Sequence, residues 1–379
     1  MKKILIIPHH PDFSEIKIRL VEIAKALTKH YEVYLVSWQT ASEEYSWQSR
    51  LLSAVKNIFP KSKPYKKGEI NVVEVPILHR PLRIACAFNS FWLKNIIKRE
   101  KVDIVINGSF YMFNISPKGK FKYIFDLADL PAGGGSHFSK FVKEQLKREF
   151  KKVNAVIAAS KGLAGYVLEN YRKKAFFVPN GADIKKIRSV KQENIDEIRK
   201  QYNLYGKWII GYIGYIGEWV NVELVVKAFE EVKKYVPRAL LFWIGASPNM
   251  RKLRKLYEKD DVIFAGGVAK ENIEAYFNLL DLAVVPTRKS LFQDLAFHIK
   301  LIEYSAARKF VISTPLEGTK VMNFPNVIFA SENTEDWVRA IKKAQQMQWR
   351  MEWDGLFENY SWAKIANTLT GIIENHESE

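Results

Sequence analysis

Short apolar runs alternate with helical patterns along almost the whole chain. In the first half the runs are bounded by turn residues, and apolar positions at helical spacing lie between them, as at residues 15–27 and 161–171. We predict buried strands at residues 4–7, 33–36, 72–75, 102–106, 123–125, 155–158 and 176–178. This alternation is typical of parallel sheets covered by helices on both faces.

A charged stretch after residue 183 separates this series from a second one. There we predict strands at residues 208–213, 239–244, 262–265, 282–285, 310–313 and 327–329. The pattern therefore predicts an α/β fold with two doubly wound domains, residues 1–183 and 184–357. Residues 355–360 are predicted to be irregular, and the last segment, residues 358–379, is predicted to send a helix back onto the first domain. Ligands of such sheets bind beyond the carboxyl ends of the strands, so we expect the site between the domains.

Composition changes this picture little but limits the setting. The 379 residues are 47% hydrophobic, which is enough for two cores of ordinary size. Cys86 is the only cysteine, so an internal disulfide and a cysteine-based metal cluster are excluded, and we expect a reducing, cytoplasmic location. No stretch of membrane-spanning length is free of charges. Abundant Lys, Glu and Ile beside a single Cys is the compositional direction of thermophiles.

The charge indicates an anionic partner. The formal net charge is +18, and much of it lies in residues 56–67, 93–101 and 140–152. The last run mixes apolar residues with Lys and Arg, which fits either a helix on an anionic membrane surface or a basic solvated face whose apolar side packs on its own domain. We find no aromatic-rich recognition motif, so a nucleic-acid partner is not expected.

The segment 298–307, H-I-K-L-I-E-Y-S-A-A, carries the clearest chemistry. On a helix, Lys300 and Glu303 share a face, because residues three apart lie one above the other. A carboxylate can accept hydrogen bonds from both hydroxyls of a ribose, and an ammonium group at a helix start can neutralise a diphosphate. An exposed salt bridge is the simpler alternative.

This segment resembles the signature P-x-K-L-x-E-Y-x-A-A-G-K-P-V-I of the family 4 retaining glycosyltransferases, which have the GT-B fold. The resemblance implies that Glu303, which is also predicted to be catalytic, binds the donor's ribose. It further implies that Lys300, with the motif neighbours His298 and Leu301, lies at the donor. His298 replaces the family's usual Pro, and Arg308 and Phe310 replace Gly and Pro.

Many relatives carry an additional glutamate eight positions before the ribose-binding one, and it touches the transferred sugar. Here that position is Leu295, so the first glutamate is absent. Asp294 is the neighbouring carboxylate, on a predicted loop, and the resemblance leaves open whether it takes over this role.

A glycine-rich segment, residues 211–219, resembles the first donor-domain loop of the same family. It reads G-Y-I-G-Y-I-G-E-W after a predicted strand, so Gly214, Tyr215 and Gly217 are predicted at the donor, where backbone N–H groups and a helix start can approach a pyrophosphate. Gly245 and Arg288 follow two further strands and are predicted there as well. A tight turn that needs small residues explains the glycines equally well.

In the first domain, Asp126 and Asp129 follow a predicted strand and precede a glycine run at 133–135. They are predicted as catalytic contributors that contact the acceptor hydroxyl or the sugar, or else as a helix cap. For the adjacent His9 and His10 we expect phosphate or acceptor contact, because neighbours on a loop rarely bind one metal ion.

Taken with the resemblance, these residues predict a glycosyltransferase. It would move a sugar from a nucleotide-sugar donor to a saccharide or lipid-linked acceptor, with retained configuration and without a metal or other cofactor. The alternatives are a GT-B sugar epimerase and a catalytically degenerate protein that binds nucleotides or polyanions.

Overall fold

The structure is a computed structural model, and it describes residues 1–9, 19–39, 64–76, 82–110, 120–130 and 135–375. It divides into two units, the first formed by Met1–Asn180 with Trp362–Glu379 and the second by Gly181–Ser361. The predicted α/β fold class with two doubly wound sheets is confirmed. Acceptor binding by residues 1–183 and nucleotide-sugar binding by residues 184–357, the roles that the family resemblance implies, stay predictions.

The first unit is built on an eight-stranded sheet in the order β3-β4-β2-β1-β5-β6-β7-β8. All neighbouring pairs are parallel except β3 with β4. The strands are β1 Lys3–Ile7, β2 Glu32–Gln39, β3 Tyr65–Lys67, β4 Ile70–Pro76, β5 Ile104–Asn107, β6 Lys122–Leu127, β7 Ala155–Ala158 and β8 Ala175–Phe177. The described helices are α1 Arg19–Leu27, α2 Leu82–Glu100, α3 Gly135–Glu149 and α4 Lys161–Tyr171, together with the closing helix α15 Trp362–Asn375.

The second unit carries a six-stranded parallel sheet in the order β11-β10-β9-β12-β13-β14. Its strands are β9 Trp208–Ile213, β10 Ala239–Ile244, β11 Val262–Gly266, β12 Leu282–Val285, β13 Phe310–Ser313 and β14 Val327–Phe329. Its helices are α5 Ile184–Arg188, α6 Gln192–Gln201, α7 Val222–Lys233, α8 Met250–Tyr257, α9 Ile273–Leu279, α10 Leu291–Leu295, α11 Ile299–Ala306, α12 Glu317–Lys320, α13 Thr334–Gln346 and α14 Asp354–Glu358. Two 3₁₀ turns, Lys270–Asn272 and Met351–Trp353, complete it.

The central strands are buried and mainly apolar because helices cover both faces of each sheet. All residues of β10 are buried, as are those of β5, β7, β12 and β13. Within the first unit, the closing helix α15 buries Ile365, Leu369 and Ile373 in the same core as α1. The spacing of these residues places them on one face of the helix.

Two predictions of local structure were wrong, and one strand was missed. Asp294 lies in the short helix α10 rather than on a loop, because the Ser290 side chain accepts a hydrogen bond from the Gln293 N–H and caps that helix. Residues 355–360 are not irregular, since most of them belong to α14, which buries Phe357. The edge strand β3, Y-K-K, escaped prediction because all three of its residues are exposed.

Candidate active site

The turn after β9 and the turn after β10 run backbone against backbone. Gly214 has φ +142° and Gly245 has φ +139°, a conformation that L side chains rarely adopt. A Cβ atom on Gly245 would lie 1.9 Å from the carbonyl oxygen of Gly214. The Gly214 N–H donates to the Ile244 carbonyl (2.8 Å), so it is not available to a phosphate. Both glycines are therefore needed for the fold, whatever else they do.

Lys300 reaches this glycine turn from helix α11. A Cβ atom on Gly214 would lie 2.5 Å from both Cε and Nζ of Lys300, so only glycine leaves room for the lysine. The ammonium nitrogen lies 5.5 Å from the centre of the Tyr212 ring, an arrangement in which the ring face attracts the cation. Two residues predicted at the donor, Gly214 and Lys300, are thus brought together.

Helix α11 begins at Ile299, one position before Lys300. Its N-cap, His298, makes no side-chain capping bond, and its Nε2 lies 2.9 Å from the Gln293 carbonyl oxygen. Burial lowers the pKa of His298, so the ring is neutral at pH 7. Leu301 is completely buried and its side chain packs in the core, and its predicted place at the donor stays a prediction.

Tyr304 joins helix α11 to the end of β9. Its hydroxyl accepts from the Ile213 N–H (2.7 Å) and lies 3.4 Å from the Ile213 carbonyl oxygen. The side chain is fully buried, and burial raises its pKa well above the usual value for tyrosine. This bond holds the helix that carries Lys300 against the strand that leads to Gly214.

The two carboxylates predicted at the donor, Glu303 and Asp294, lie in different surroundings. Glu303 is half-buried and follows Lys300 by three positions on α11. Asp294 accepts a hydrogen bond from the Glu317 N–H (3.1 Å), which opens helix α12. Gly318 packs against the same segment, where a Cβ would lie 2.4 Å from the Ala296 carbonyl oxygen. Asp294 therefore has a structural role, and its contact with the sugar stays a prediction.

Beyond Gly214 the turn presents side chains to solvent. Tyr215 and Trp219 are exposed and stack on each other, and Gly217 makes room for the Trp219 ring. The exposed Arg288 donates from Nη2 to Asn221 Oδ1 (3.0 Å). Asn221 also caps helix α7 with its side chain, which weakens the prediction that the start of α7 receives a pyrophosphate.

In the first unit, Asp126 lies at the end of β6 and is completely buried. Arg19 Nε lies 3.1 and 3.0 Å from its two carboxylate oxygens, and Nη2 lies 3.0 Å from Oδ1. The Asp126 carboxylate is therefore buried and bonded to Arg19, and its predicted contact with an acceptor stays a prediction. Arg19 was missed by the sequence analysis, although an arginine on the apolar side of a helix is a usable signal.

Asp129 and His9 lie near the same strand end. The side chain of Asp129 is exposed, and yet the surrounding protein desolvates it and raises its pKa to about 6; the Arg19 charge opposes this shift and the Asp126 charge adds to it. His9 Nε2 lies 3.3 Å from the Asp126 carbonyl oxygen and 3.8 Å from Oδ2. His10 and residues 133–134 lie outside the described residues. The described residues include no group of three His, Cys, Asp or Glu that could hold a metal ion.

None of the described helices is both long enough and apolar enough to cross a membrane.

Curated relatives are similar to a little over half of the chain. An uncharacterised glycosyltransferase of Methanocaldococcus jannaschii is 23% identical over 240 residues, which are 59% of each chain. A glycosyltransferase named for teichuronic acid biosynthesis in Bacillus subtilis is 27% identical over 237 residues, 58% of this chain and 57% of the relative. The chain thus spans less than two thirds of the length of these relatives.

Solved structures of glycosyltransferases resemble the chain over nearly its whole length. One of them, the Anabaena protein HepE solved in complex with UDP, superposes with a TM-score of 0.70 at 13% identity and covers 99% of this chain and 100% of its own. This likeness shows the GT-B fold. The model of Glycosyltransferase Family 4 matches residues 16–186, and that of Glycosyl transferases group 1 matches residues 207–346. The chain therefore belongs to the family 4-like glycosyltransferases with the GT-B fold.

Proposed function

We propose that this protein transfers a sugar from a nucleotide-sugar donor to a saccharide or lipid-linked acceptor. The observation that carries the proposal is the position of Lys300, whose ammonium group lies against Gly214 at the start of a helix without a side-chain cap. A cation beside a helix start favours a diphosphate. A structural neighbour that binds UDP and a relative named for polysaccharide synthesis support the same reading.

In the proposed reaction the bond between the anomeric carbon of the sugar and the diphosphate oxygen breaks. Negative charge grows on the leaving diphosphate, and Lys300 stabilises it more strongly than in the bound donor. The acceptor oxygen bonds to the anomeric carbon, and its proton passes to the leaving diphosphate. We propose retained configuration, because an acceptor oxygen that gives its proton to the leaving diphosphate bonds to the anomeric carbon from the face that the diphosphate leaves. We propose no metal, because a fixed ammonium group can supply the charge stabilisation.

Nucleotide binding tests the role of Lys300. Calorimetry with UDP, GDP and ADP on the whole protein should identify a bound nucleotide, and Lys300→Gln should weaken its binding by about tenfold or more, since a charge-assisted bond to phosphate is lost. Lys259→Gln is the matched control, because Lys259 pairs with Glu230 on the surface of the same unit. Equal affinity in the Lys300 variant would overturn the proposal.

Glu303 is tested through the ribose. If its carboxylate accepts from the ribose hydroxyls, the wild-type protein should bind UDP more tightly than 2′-deoxy-UDP, and Glu303→Gln should lose most of this preference. Should UDP not be the ligand, the same pair of ribose and deoxyribose forms applies to the nucleotide that binds. A preference that survives in Glu303→Gln would remove Glu303 from the donor site.

Two further parts of the proposal have direct tests. Transfer should continue after treatment with EDTA and after dialysis, and a requirement for added divalent cations would contradict metal independence. The anomeric configuration of the product, read from its NMR coupling constants, should match that of the donor. An inverted product would leave the transferase proposal standing and correct its mechanism.

We propose an anionic membrane surface as the place where the acceptor is met. Helix α3 presents basic side chains to solvent while its apolar residues Val142 and Leu146 are buried, so it would bind through charge alone. Helix α2 adds exposed apolar groups, Ile84 and Phe91, on one face. The exposed basic residues at α3 are Lys140, Lys143, Lys147, Arg148 and Lys151.

Vesicle co-sedimentation tests this surface. Binding should increase with the phosphatidylglycerol content of phosphatidylcholine vesicles and fall with salt, and replacing Lys140, Lys143 and Lys147 by Gln should reduce it by about a hundredfold, at about 1 kcal/mol per charge. The control carries Gln at Arg251, Lys252 and Lys255, which are exposed on α8. Binding that ignores lipid charge would contradict the proposal.

A further inference from the structure

Two large aromatic side chains lie exposed at the carboxyl end of β9. The rings of Tyr215 and Trp219 stack with their centres 5.7 Å apart and their planes 27° from parallel. Tyr215 is 51% exposed and Trp219 is 43% exposed. Aromatic rings of this size contribute to stability mainly when they are buried, so this pair does little for the fold in its present position.

The pair is nevertheless held in place. The Tyr215 carbonyl accepts from the buried Tyr212 hydroxyl (3.0 Å), and the Trp219 carbonyl accepts from the Arg288 N–H (2.7 Å). A Cβ on Gly217 would lie 2.5 Å from atoms of the Trp219 ring, so the absence of a side chain at this position lets the ring pack against the backbone of the turn. These bonds fix the backbone that carries both rings.

Hydrogen-bonding groups border the rings. Residue Val220 forms an antiparallel bridge with Thr287, which brings the Arg288 side chain next to the segment that carries Trp219. The Arg288 guanidinium donates to the Asn221 amide (3.0 Å) and is exposed, so part of it faces solvent. Two exposed rings and two planar polar side chains are therefore carried by the paired segments 215–221 and 287–288, and we name this group the Tyr215–Trp219 platform.

We propose that the Tyr215–Trp219 platform binds a sugar ring of a saccharide chain, as a subsite separate from the nucleotide. The inference rests on the proposed function in taking the saccharide as the acceptor. A pyranose ring has an apolar face of C–H groups that fits the electron-rich face of an aromatic ring, and hydroxyls at its edge that guanidinium and amide groups can bind. A nucleotide is normally enclosed in a concave pocket, whereas an open platform suits a longer ligand that extends over the surface.

Saccharide binding to the whole protein tests the proposal. The probes are maltohexaose, cellohexaose and chitohexaose, followed by saturation-transfer NMR and calorimetry. We expect at least one to bind with millimolar affinity, and we expect Trp219→Ala and Tyr215→Ala each to weaken it about fivefold or more. Arg288→Gln should weaken it less. Tyr205→Ala is the control, because Tyr205 is an equally exposed ring on the same unit.

Each outcome decides the matter. No binding of any probe up to about 10 mM, or equal binding by the platform variants, would overturn the inference. If Trp219→Ala weakened UDP binding and left saccharide binding intact, the platform would belong to the donor site. The wild-type protein could also bind a saccharide but no nucleotide. If the platform variants then lost the saccharide, the result would support the platform and reject the proposed transferase.

Discussion

The Arg19 guanidinium and the Asp126 carboxylate form a buried ion pair, with Nε 3.1 and 3.0 Å from the two carboxylate oxygens. The remaining N–H groups of Arg19 donate to the carbonyls of Val178 (2.6 Å) and Pro179 (2.7 Å) and to the Asn180 side chain (3.1 Å). All five N–H groups are thus used. One side chain ties the end of β6 to the segment that follows β8.

We expect Arg19→Met to destabilise the first unit by about 3–5 kcal/mol, because it leaves the Asp126 carboxylate buried without its partner. Hydrogen exchange of the β6 amides in a urea series measures this unit alone. Lys259→Met, which breaks the exposed pair with Glu230, should change little. If the free energy of unfolding of the Arg19 variant fell by less than about 1 kcal/mol, water would have replaced the guanidinium.

Transfer should depend on pH through Asp129, whose pKa is raised to about 6. If its ionised form accepts a hydrogen bond from the acceptor hydroxyl, as predicted, kcat/KM should rise with pH and level off above about 6. In Asp129→Asn the rate should be lower and this rise absent. Glu169→Gln, at an exposed carboxylate on α4, should keep the wild-type profile; a profile that Asp129→Asn also keeps would exclude the role.

The same shift has a consequence for stability. Because the pKa of Asp129 in the folded protein exceeds its ordinary value, the folded state binds the proton more tightly than the unfolded state. The free energy of unfolding should therefore fall as the pH rises from about 4 to about 6. This decline should be smaller in Asp129→Asn, and urea denaturation at several pH values measures it. A larger decline in the variant would contradict the assigned shift.

Gly245→Ala should destabilise the second unit by about 3 kcal/mol or more, because the residue has φ +139° and its Cβ would lie 1.9 Å from the Gly214 carbonyl oxygen. Nucleotide binding should weaken as well, since the turn that meets Lys300 has to move. Gly165→Ala is the matched control, because this glycine lies inside α4 with nothing within 4 Å of its added Cβ. Gly165→Ala should raise the free energy of unfolding by up to about 1 kcal/mol, and thermal denaturation measures both variants.

Tyr304→Phe should lower the free energy of unfolding by about 1–3 kcal/mol, because the buried Ile213 N–H loses its acceptor. Thermal denaturation measures the loss. The exposed Tyr235→Phe should be nearly neutral. If Tyr304→Phe were equally neutral, the link between α11 and β9 would not be the bond that we describe.

The buried strands could be predicted from the sequence, and for clear physical reasons. Strands β7, β9, β10, β12, β13 and β14 have the predicted bounds, because runs enclosed by helices on both faces are apolar without interruption and end at turn residues. The strand β3 was missed since its exposed residues carry no such pattern. The helices around Asp294 and Phe357 were missed because they are one or two turns long, too short for a helical period to appear.

The candidate site could be predicted only in part. The motifs predicted Lys300 and Gly214 at the same place, and the two residues do lie against each other. This could be predicted because a strand, its turn and the following helix are set by local sequence and by the family's order of elements. The surroundings of Asp126 and Asp129 could not be predicted, since they depend on Arg19, more than a hundred positions away in the chain. Whether a carboxylate is buried and paired or exposed is decided by such distant contacts.

The bond between Tyr304 and Ile213 has a consequence for how a ligand is received. It fixes the spacing between α11 and β9. The conformational entropy of bringing Lys300 to the Gly214 turn is therefore lost when the protein folds and not when a ligand binds. Association with an anion should then depend little on rearrangement of these two elements, and changes of ligand preference should come from the side chains at the rim of the turn.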